Sequence, residues 1–463
     1  KLKPRIIIDK FGRLMLEEYQ GLKIKEARKK ILEDLKAKNL VTEQKSISHV
    51  VNVHDRCGTE IEVLPTEQWF IKILDKKEKL IEQGKKIKWC PEFMFKRYEN
   101  WIKGLEWDWN ISRNRHFGVP FPVWECTRCK EILLAEEKEL PVDPLQLKKK
   151  CPKCKIDAVG EKMVMDTWAT SSMTPQIVSS LSDEQVKLPL SLRPQGHDII
   201  RTWAFYTIVK AYLHNKEIPW KDIVISGNVS LKGEKMSKSK GNIISPREIL
   251  EKYSADALRY WASSSKLGED LDYQEKELIA GTRFINKIFN ATRFVFSNIK
   301  EEKILKPKNL IETDRLFLTK LNEVIIESTN NFEEYNFSQS RLILDKFFWH
   351  DFCDNYLEIV KNRVYNGTRE EKESAKYALY NSLLDILKII APITPFITEE
   401  LFQLYFKKKE GDKSIHLSNW PKKIEVKTEK QDKDKLGRFF DIIEKIRRIK
   451  SENKKSMKAE IIL

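Results

Sequence analysis

No stretch of this chain approaches the roughly 20 consecutive apolar residues that a bilayer-spanning helix needs, so no helical membrane anchor is expected. Acidic residues are in deficit: 69 Asp and Glu stand against 85 Lys and Arg, for a net charge of +16. That balance raises affinity for polyanions and gives a modest lean toward RNA. No internal repeat or low-complexity tract is present, which excludes solenoid architectures. Cysteine is sparse and odd in number, at seven, so a closed set of disulfides is not expected. The chain opens on Lys1 rather than methionine and without a leader pattern. It is therefore expected to be a piece of a longer, cytoplasmic protein.

What is present points to an ordered, multidomain protein. A length of 463 residues suits about three domains, and 41% hydrophobic with 33% charged residues suits packed cores. Four of the cysteines form two tight pairs, Cys126-x-x-Cys129 and Cys151-x-x-Cys154, separated by the 21 residues of positions 130–150. Two such pairs suit a tetrahedral site of four thiolates for structural Zn2+, with no open position for chemistry. Cys57, Cys90 and Cys353 stand alone and are expected as buried, small apolar residues.

The most informative segment is Lys235-Met236-Ser237-Lys238-Ser239, followed by Lys240-Gly241-Asn242. Two lysines three residues apart on a glycine-bounded loop can close over phosphates and meet the charge that develops on departing pyrophosphate. Five charges in nine residues are also what an ordinary solvated loop looks like. The preceding Ile223–Ser226 reads as a strand, so the loop leaves a sheet edge where α/β folds bind nucleotides. Upstream, Arg193-Pro194-Gln195-Gly196-His197-Asp198 precedes a helix expected over Asp198 to His214. Gly196 permits close approach and Asp198 can accept from ribose hydroxyls, although alone it could be a simple helix cap.

Strands are expected at Arg5 to Asp9 and Ser48 to Val53, with a helix near Lys25 to Asn39. Beyond 276, apolar stripes such as Phe284, Ile288, Ala291 and Val295, or Tyr377, Tyr380, Leu384 and Leu387, predict a helix bundle. Thr394 is the expected N-cap of a helix opening at Pro395. A last basic helix should turn Leu436, Phe439, Phe440, Ile443 and Ile446 inward and leave Arg447, Arg448 and Lys450 outside.

Together these segments resemble the valyl-tRNA synthetases, class I aminoacyl-tRNA synthetases, in their archaeal style. Carrying the resemblance are Ile225 to Asn242, Gly196 to Phe205, Asp166 to Pro175, Trp107 to Arg113, Phe347 to Asp354 and Ala391 to Phe396. Asn114 and Asn355 depart from the usual Gln and Trp. The resemblance implies an α/β, partial Rossmann-like catalytic domain (its second half) with a zinc module, followed by an all-α helix bundle. Residues 1–75 would be the end of the inserted editing domain, and 76–187 the return connection with the zinc module. Residues 188–275 would be the second half of the nucleotide fold, 276–425 the helical anticodon-binding domain, and 426–463 a basic helix.

The implied roles are specific. Lys235, Ser237 and Lys238 would stabilise the reacting phosphates of ATP bound with Mg2+, Lys238 foremost. Gly196 and Asp198 would bind ribose, and the backbone near Val224 and Ile225 would face adenine. Phe117 and Trp168 would shape a valine pocket. The family's His-x-Gly-His element is not formed by any pair among the seven histidines, so this chain is expected to be inactive alone. Expected partners are valine, ATP, tRNA(Val) and, for a split enzyme, a separate chain carrying the other half of the fold. Two other readings stand beside it: a non-catalytic tRNA-binding protein, or isoleucyl specificity, which Ile199-Ile200 and Asp166-Thr167-Trp168 disfavour.

Overall fold

The computed structural model describes residues 5–54, 57–182, 186–237, 241–299, 304–427, 429, 432–457 and 459. The chain forms two compact units, the first from Lys1–Lys77 with Leu105–Ser172, the second from Glu78–Gly104 with Met173–Leu463. Among the described residues no helix is long and apolar enough to cross a membrane.

In the first unit the helix Ile24–Ala37 forms close to its expected place, with Glu26 accepting from the backbone of Lys23 at its start. The two strands expected before and after it do not form. Only isolated bridges appear there, Ile8 with Leu14 and Val53 with Glu60. A strand needs a ladder partner and a face to bury. Neither is supplied, and Val50, Val51 and Val53 stay exposed. A four-stranded antiparallel sheet follows, in the order Ile132–Leu134, Val123–Cys126, Asp157–Gly160, Lys149–Lys150. Fully buried Trp124 anchors it, its indole N–H donating to the Leu147 carbonyl and its ring facing the Lys149 ammonium at 4.5 Å.

The second unit begins from a parallel sheet in the order Leu190–Gly196, Trp220–Ser226, Lys88–Cys90. Burial alternates along the central strand, with Ile223 and Ile225 turned into the core. They meet a helical crossover running from His197 to Asn215, whose Ile200, Ala204, Phe205, Ile208 and Val209 are fully enclosed. The expected helix over Asp198 to His214 is thus present, but it opens as a tight turn at His197–Ile199 and widens over Ile200–Ala204 before becoming regular.

The helical part of this unit has one continuous core, and both predicted stripes lie in or against it. Phe317 stacks on Tyr356 with ring centroids 3.9 Å apart. Beside them the wholly buried Asp314 carboxylate accepts from Arg363, Tyr356 and Ser374, so its charge is paired and its lone pairs are filled. The helix at Pro395–Leu401 begins where predicted, but Thr394 does not cap it. Asp256, from the helix Ala255–Ala262, accepts from the amides of Phe396 and Ile397 instead. Arg259 of the same helix donates to the carbonyls of Pro392 and Ile393. The last helix, Asp432–Glu452, buries Leu436 and Phe440 and half-buries Phe439, Ile443 and Ile446. Its Arg447 is not free outside: it donates to the Asp354 carbonyl and to Asn355. Lys450 likewise donates to the Met457 carbonyl.

Burial pushes the Asp385 carboxyl up to about 7, against a weaker pull from Lys388. An unfolded Asp titrates near ~3.9, so between about pH 4 and 7 the folded chain holds a proton that the unfolded chain lacks. Stability should therefore fall as pH rises through that window. Asp385→Asn should remove this slope and stabilise the chain at pH 8 by roughly 2–4 kcal/mol, read from urea unfolding at several pH values. An unchanged slope would locate the titration elsewhere.

Candidate active site

The central strand ends at Ser226, and Gly227 follows where only glycine fits. A Cβ there would lie 2.0 Å from the Glu269 carbonyl oxygen. The close approach lets Gly268 N–H donate to the Ile225 carbonyl, and Val229 and Ser230 pair in parallel with Leu271 and Asp272. From this base rises a hairpin, Val229–Leu231 against Glu234–Lys235, closed by Lys232 and Gly233, both with positive φ (55° and 78°). Two such residues in succession match the twist of a tight hairpin. Asp272 accepts from the Ser230 hydroxyl and the Gly233 amide, which hold its carboxyl below the usual range.

Beyond the hairpin, Ser237 N–H donates to the Asn242 side-chain oxygen at 2.8 Å, and the Asn242 amide donates to the Lys235 carbonyl. Asn242 thereby ties both ends of the lysine loop together. Lys238, with Ser239 and Lys240, lies outside the described residues. Lys235 Nζ stands 3.8 Å from Asp198 Oδ2, with both side chains about half exposed or more. The two motifs, 37 positions apart in sequence, therefore meet at one place. Gly196 makes room for this: a Cβ there would sit 2.8 Å from Asp198 Oδ1.

Val224 lies in the sheet between Pro194 and Cys90, and the Ile225 carbonyl is taken by Gly268. Phe117 and Trp168 belong to the first unit. Phe117 is 86% exposed, its ring edge-on to His116. Trp168 is half-buried on the short helix Thr167–Ser171, which follows the Asp166–Arg113 ion pair at 3.2 Å. Sequence reasoning did not find Asp270, Asp272 or Arg97 at the site, and it gave no role to His197 and Asn228, which lie within the quoted motifs. Only the motif neighbour Asn242 carried a local signal.

The four paired cysteines converge in the first unit, with all sulfurs within 4.8 Å of one another. Cys126 and Cys154 lie 3.3 Å apart and Cys129 and Cys151 3.5 Å apart. Each pair sits in a matching knuckle. Lys130 and Lys155 follow with left-handed φ and donate back to the carbonyls of Cys126 and Cys151. The amides of Cys129 and Arg128 hold the Cys126 thiol down to about 6. For Cys129 the Glu131 amide favours the thiolate, but the crowding sulfurs, Cys151 first, outweigh it and push the thiol up to about 12. Four thiolates at this spacing need a cation among them, and tetrahedral Zn–S bonds of ~2.3 Å require sulfurs about this far apart. The set fits structural zinc.

This geometry falls within a defined class. Residues 19–274, more than half the chain, match the family described as tRNA synthetases class I (I, L, M and V), and the chain belongs to it. Residues 314–463 match the anticodon-binding domain of tRNA ligase. More particularly, the chain is 44% identical over 462 residues to the valine–tRNA ligase of Wolbachia sp. subsp. Brugia malayi, covering 96% of this chain and 53% of that protein. Against the valine–tRNA ligase of Archaeoglobus fulgidus it is 44% identical over 433 residues, 91% of this chain and 49% of that one. The chain thus spans about half the length of the curated relatives it matches. Mycobacterium tuberculosis methionyl-tRNA synthetase, solved in complex with methionyl-adenylate, shares the fold at TM-score 0.57 and 16% identity over 76% of this chain and 66% of that one.

One zinc per chain is expected by elemental analysis. Stripping it, or Cys151→Ser, should unfold the four-stranded sheet while leaving the far-ultraviolet signal of the helical bundle largely intact. A metal-free protein with that sheet fully protected from hydrogen exchange would exclude the structural role.

Proposed function

We propose that this chain carries the second half of the nucleotide site and the tRNA-binding helices of a valine–tRNA ligase. The enzyme would join valine to ATP as valyl-adenylate, release pyrophosphate, and transfer valine to the terminal adenosine of tRNA(Val). The observation that carries this reading is the meeting of Lys235 with Asp198 across one crevice. The names of the relatives support valine as the substrate.

On this reading Asp198 and Gly196 receive the ribose, and the backbone at Val224 presents to adenine. Lys235 and Lys238 fold over the phosphates with Mg2+, and Ser237 helps to shape the loop. The exposed ion pair of Lys235 with Asp198 is worth at most ~1 kcal/mol, so an arriving phosphate can displace it easily. When the valine carboxylate oxygen attacks the α-phosphorus, the bond to the β-phosphate oxygen breaks and its electrons leave with pyrophosphate. The lysines meet that growing charge with preorganised positive charge, and no covalent enzyme intermediate is needed. Phe117 and Trp168 would wall the valine pocket once substrate and the remaining residues of the enzyme surround them. Residues 1–75 would close the editing domain, 76–187 would return the chain through the zinc module, and 276–425 would grip the anticodon arm. Since no two histidines here have the His-x-Gly-His spacing, the other half of the phosphate site is proposed to come from residues outside this sequence, on the same or a separate chain.

The test is amino-acid-dependent ATP–pyrophosphate exchange by this chain fused behind the portion of the Archaeoglobus fulgidus relative that it does not span. Valine-dependent exchange is expected from the fusion and none from this chain alone. Lys238→Ala should slow it by about 100-fold and leave tRNA affinity within about twofold, as for loss of one transition-state donor. Exchange driven by isoleucine would replace the substrate, and exchange unaffected by Lys235→Ala and Lys238→Ala together would remove the mechanism.

A further inference from the structure

His197 sits between the two residues assigned to ribose, yet neither motif gives it a task. Three separate elements converge on its ring, whose side chain is only 17% exposed. Arg97, from the helix Met94–Lys103, places Nη1 3.0 Å from Nδ1. Asp270, which precedes the Leu271–Asp272 strand, places Oδ1 3.3 Å from Nε2. Asn228, at the foot of the lysine hairpin, brings its side-chain amide to 3.0 Å from the same nitrogen. Asp270 Oδ1 also accepts from the Asn228 backbone amide at 2.7 Å.

The donor inventory fixes the state of this ring. A guanidinium can only donate, so Nδ1 must offer its lone pair. The ring is then neutral, with its proton on Nε2 directed at Asp270. Because Nε2 carries that proton, the Asn228 amide must meet it with its oxygen, the end-for-end orientation of the group. A doubly protonated ring would set N–H against N–H, and charge against charge, at Arg97.

We propose that His197 is a positioning residue: a neutral, Nε2-protonated imidazole that fastens the ribose-binding turn at Asp198 to the foot of the lysine hairpin, with Arg97 fixing its tautomer. The role rests on the nucleotide site proposed above and adds to it the part that keeps its two halves in register. Asp198 is the next residue along the turn, and Asn228 leads directly into Val229, the first residue of the hairpin. The same junction also contains the strand pairing of Gly196 with Ser226 and the exposed Lys235–Asp198 pair.

Two isosteric substitutions separate the halves of the claim. Gln can reproduce the Nε2–H donor, and Asn can reproduce the Nδ1 acceptor. On the chain itself, long-range proton–nitrogen correlation should show the Nε2–H tautomer for His197, and Arg97→Met should abolish that fixed state. Hydrogen exchange at the amides of 229–235 should quicken about tenfold in His197→Ala and His197→Asn and stay within about twofold in His197→Gln, the scale of one lost charge-assisted hydrogen bond. In the fused enzyme His197→Ala should raise the KM for ATP about tenfold with kcat within about threefold, and His197→Gln should restore it. An Nδ1–H tautomer, or Gln and Ala behaving alike at the hairpin, would overturn the proposal. A fusion without valine-dependent exchange would sink the functional reading alone, since the tautomer and hairpin measurements need no activity.

Discussion

The hairpin at the site depends on the close approach of Gly227 to Glu269. Strand and return segment touch so tightly that no side chain fits between them. Everything the hairpin needs follows from that contact. Gly268 can reach the Ile225 carbonyl, and the strand pairs of Val229 and Ser230 come into register. Two carboxylates, Asp270 and Asp272, are thereby delivered to the foot and the turn of the hairpin. The hairpin gains a rigid base, and Lys235 is aimed at Asp198 without being buried. Any side chain at 227 would push the return segment away and loosen both carboxylates together.

The same unit ties that base to the helices behind it. The helix Ala255–Ala262 follows the lysine loop by a dozen residues, and it caps the start of Pro395–Leu401 through Asp256. Burial pushes the Asp256 carboxyl upward, against the opposing pull of the Ile397 and Phe396 amides. Arg259 donates to the carbonyls of Pro392 and Ile393 in the turn that precedes Pro395–Leu401, and Tyr260 bonds to Asp345 on a third helix. Motion of the helix Ala255–Ala262 relative to the bundle would have to break these partly buried polar contacts. Buried pairs that are broken cost far more than exposed ones, so the two parts are expected to move as one block.

What the sequence made legible was local. The lysine loop, the strand before it, the four cysteines and the bundle stripes each carry their signal within a few residues. The strand forms, the cysteines converge and the stripes are buried, while positions 238–240 of the loop lie outside the described residues. What it hid was supplied from a distance. Asp270 and Asp272 act on residues 42 or 39 positions upstream, and no spacing rule marks them. Thr394 satisfied the local rule for a cap and lost to Asp256, because a carboxylate held by another helix makes two bonds to the amides where the hydroxyl makes none. The strands near Ile7 and Val51 failed for the complementary reason: apolar residues were present, but each segment finds only a single bridge and no extended ladder. Nearby Cys57, expected buried, is exposed. Asn355, read as a drift from tryptophan, is buried and receives Arg447, so the departure has a partner of its own.

The relation between Lys235 and Asp198 is informative because it is weak. A buried, well-geometried pair would lock the loop shut and resist phosphate, since breaking it would leave a stranded charge. An exposed pair at 3.8 Å only biases the loop toward the crevice and yields to a ligand carrying more negative charge than one carboxylate. Asp198 would then be released toward a neutral partner such as a ribose hydroxyl, at the moment the ammonium turns to phosphate. On the proposed reading the exchange would keep the number of favourable contacts nearly constant and would move the positive charge to where negative charge is to grow. For such a swap to work, the crevice must keep its width while the pair opens. Rigidity is therefore required beneath the hairpin, at Gly227 and around His197, and flexibility only at its tip.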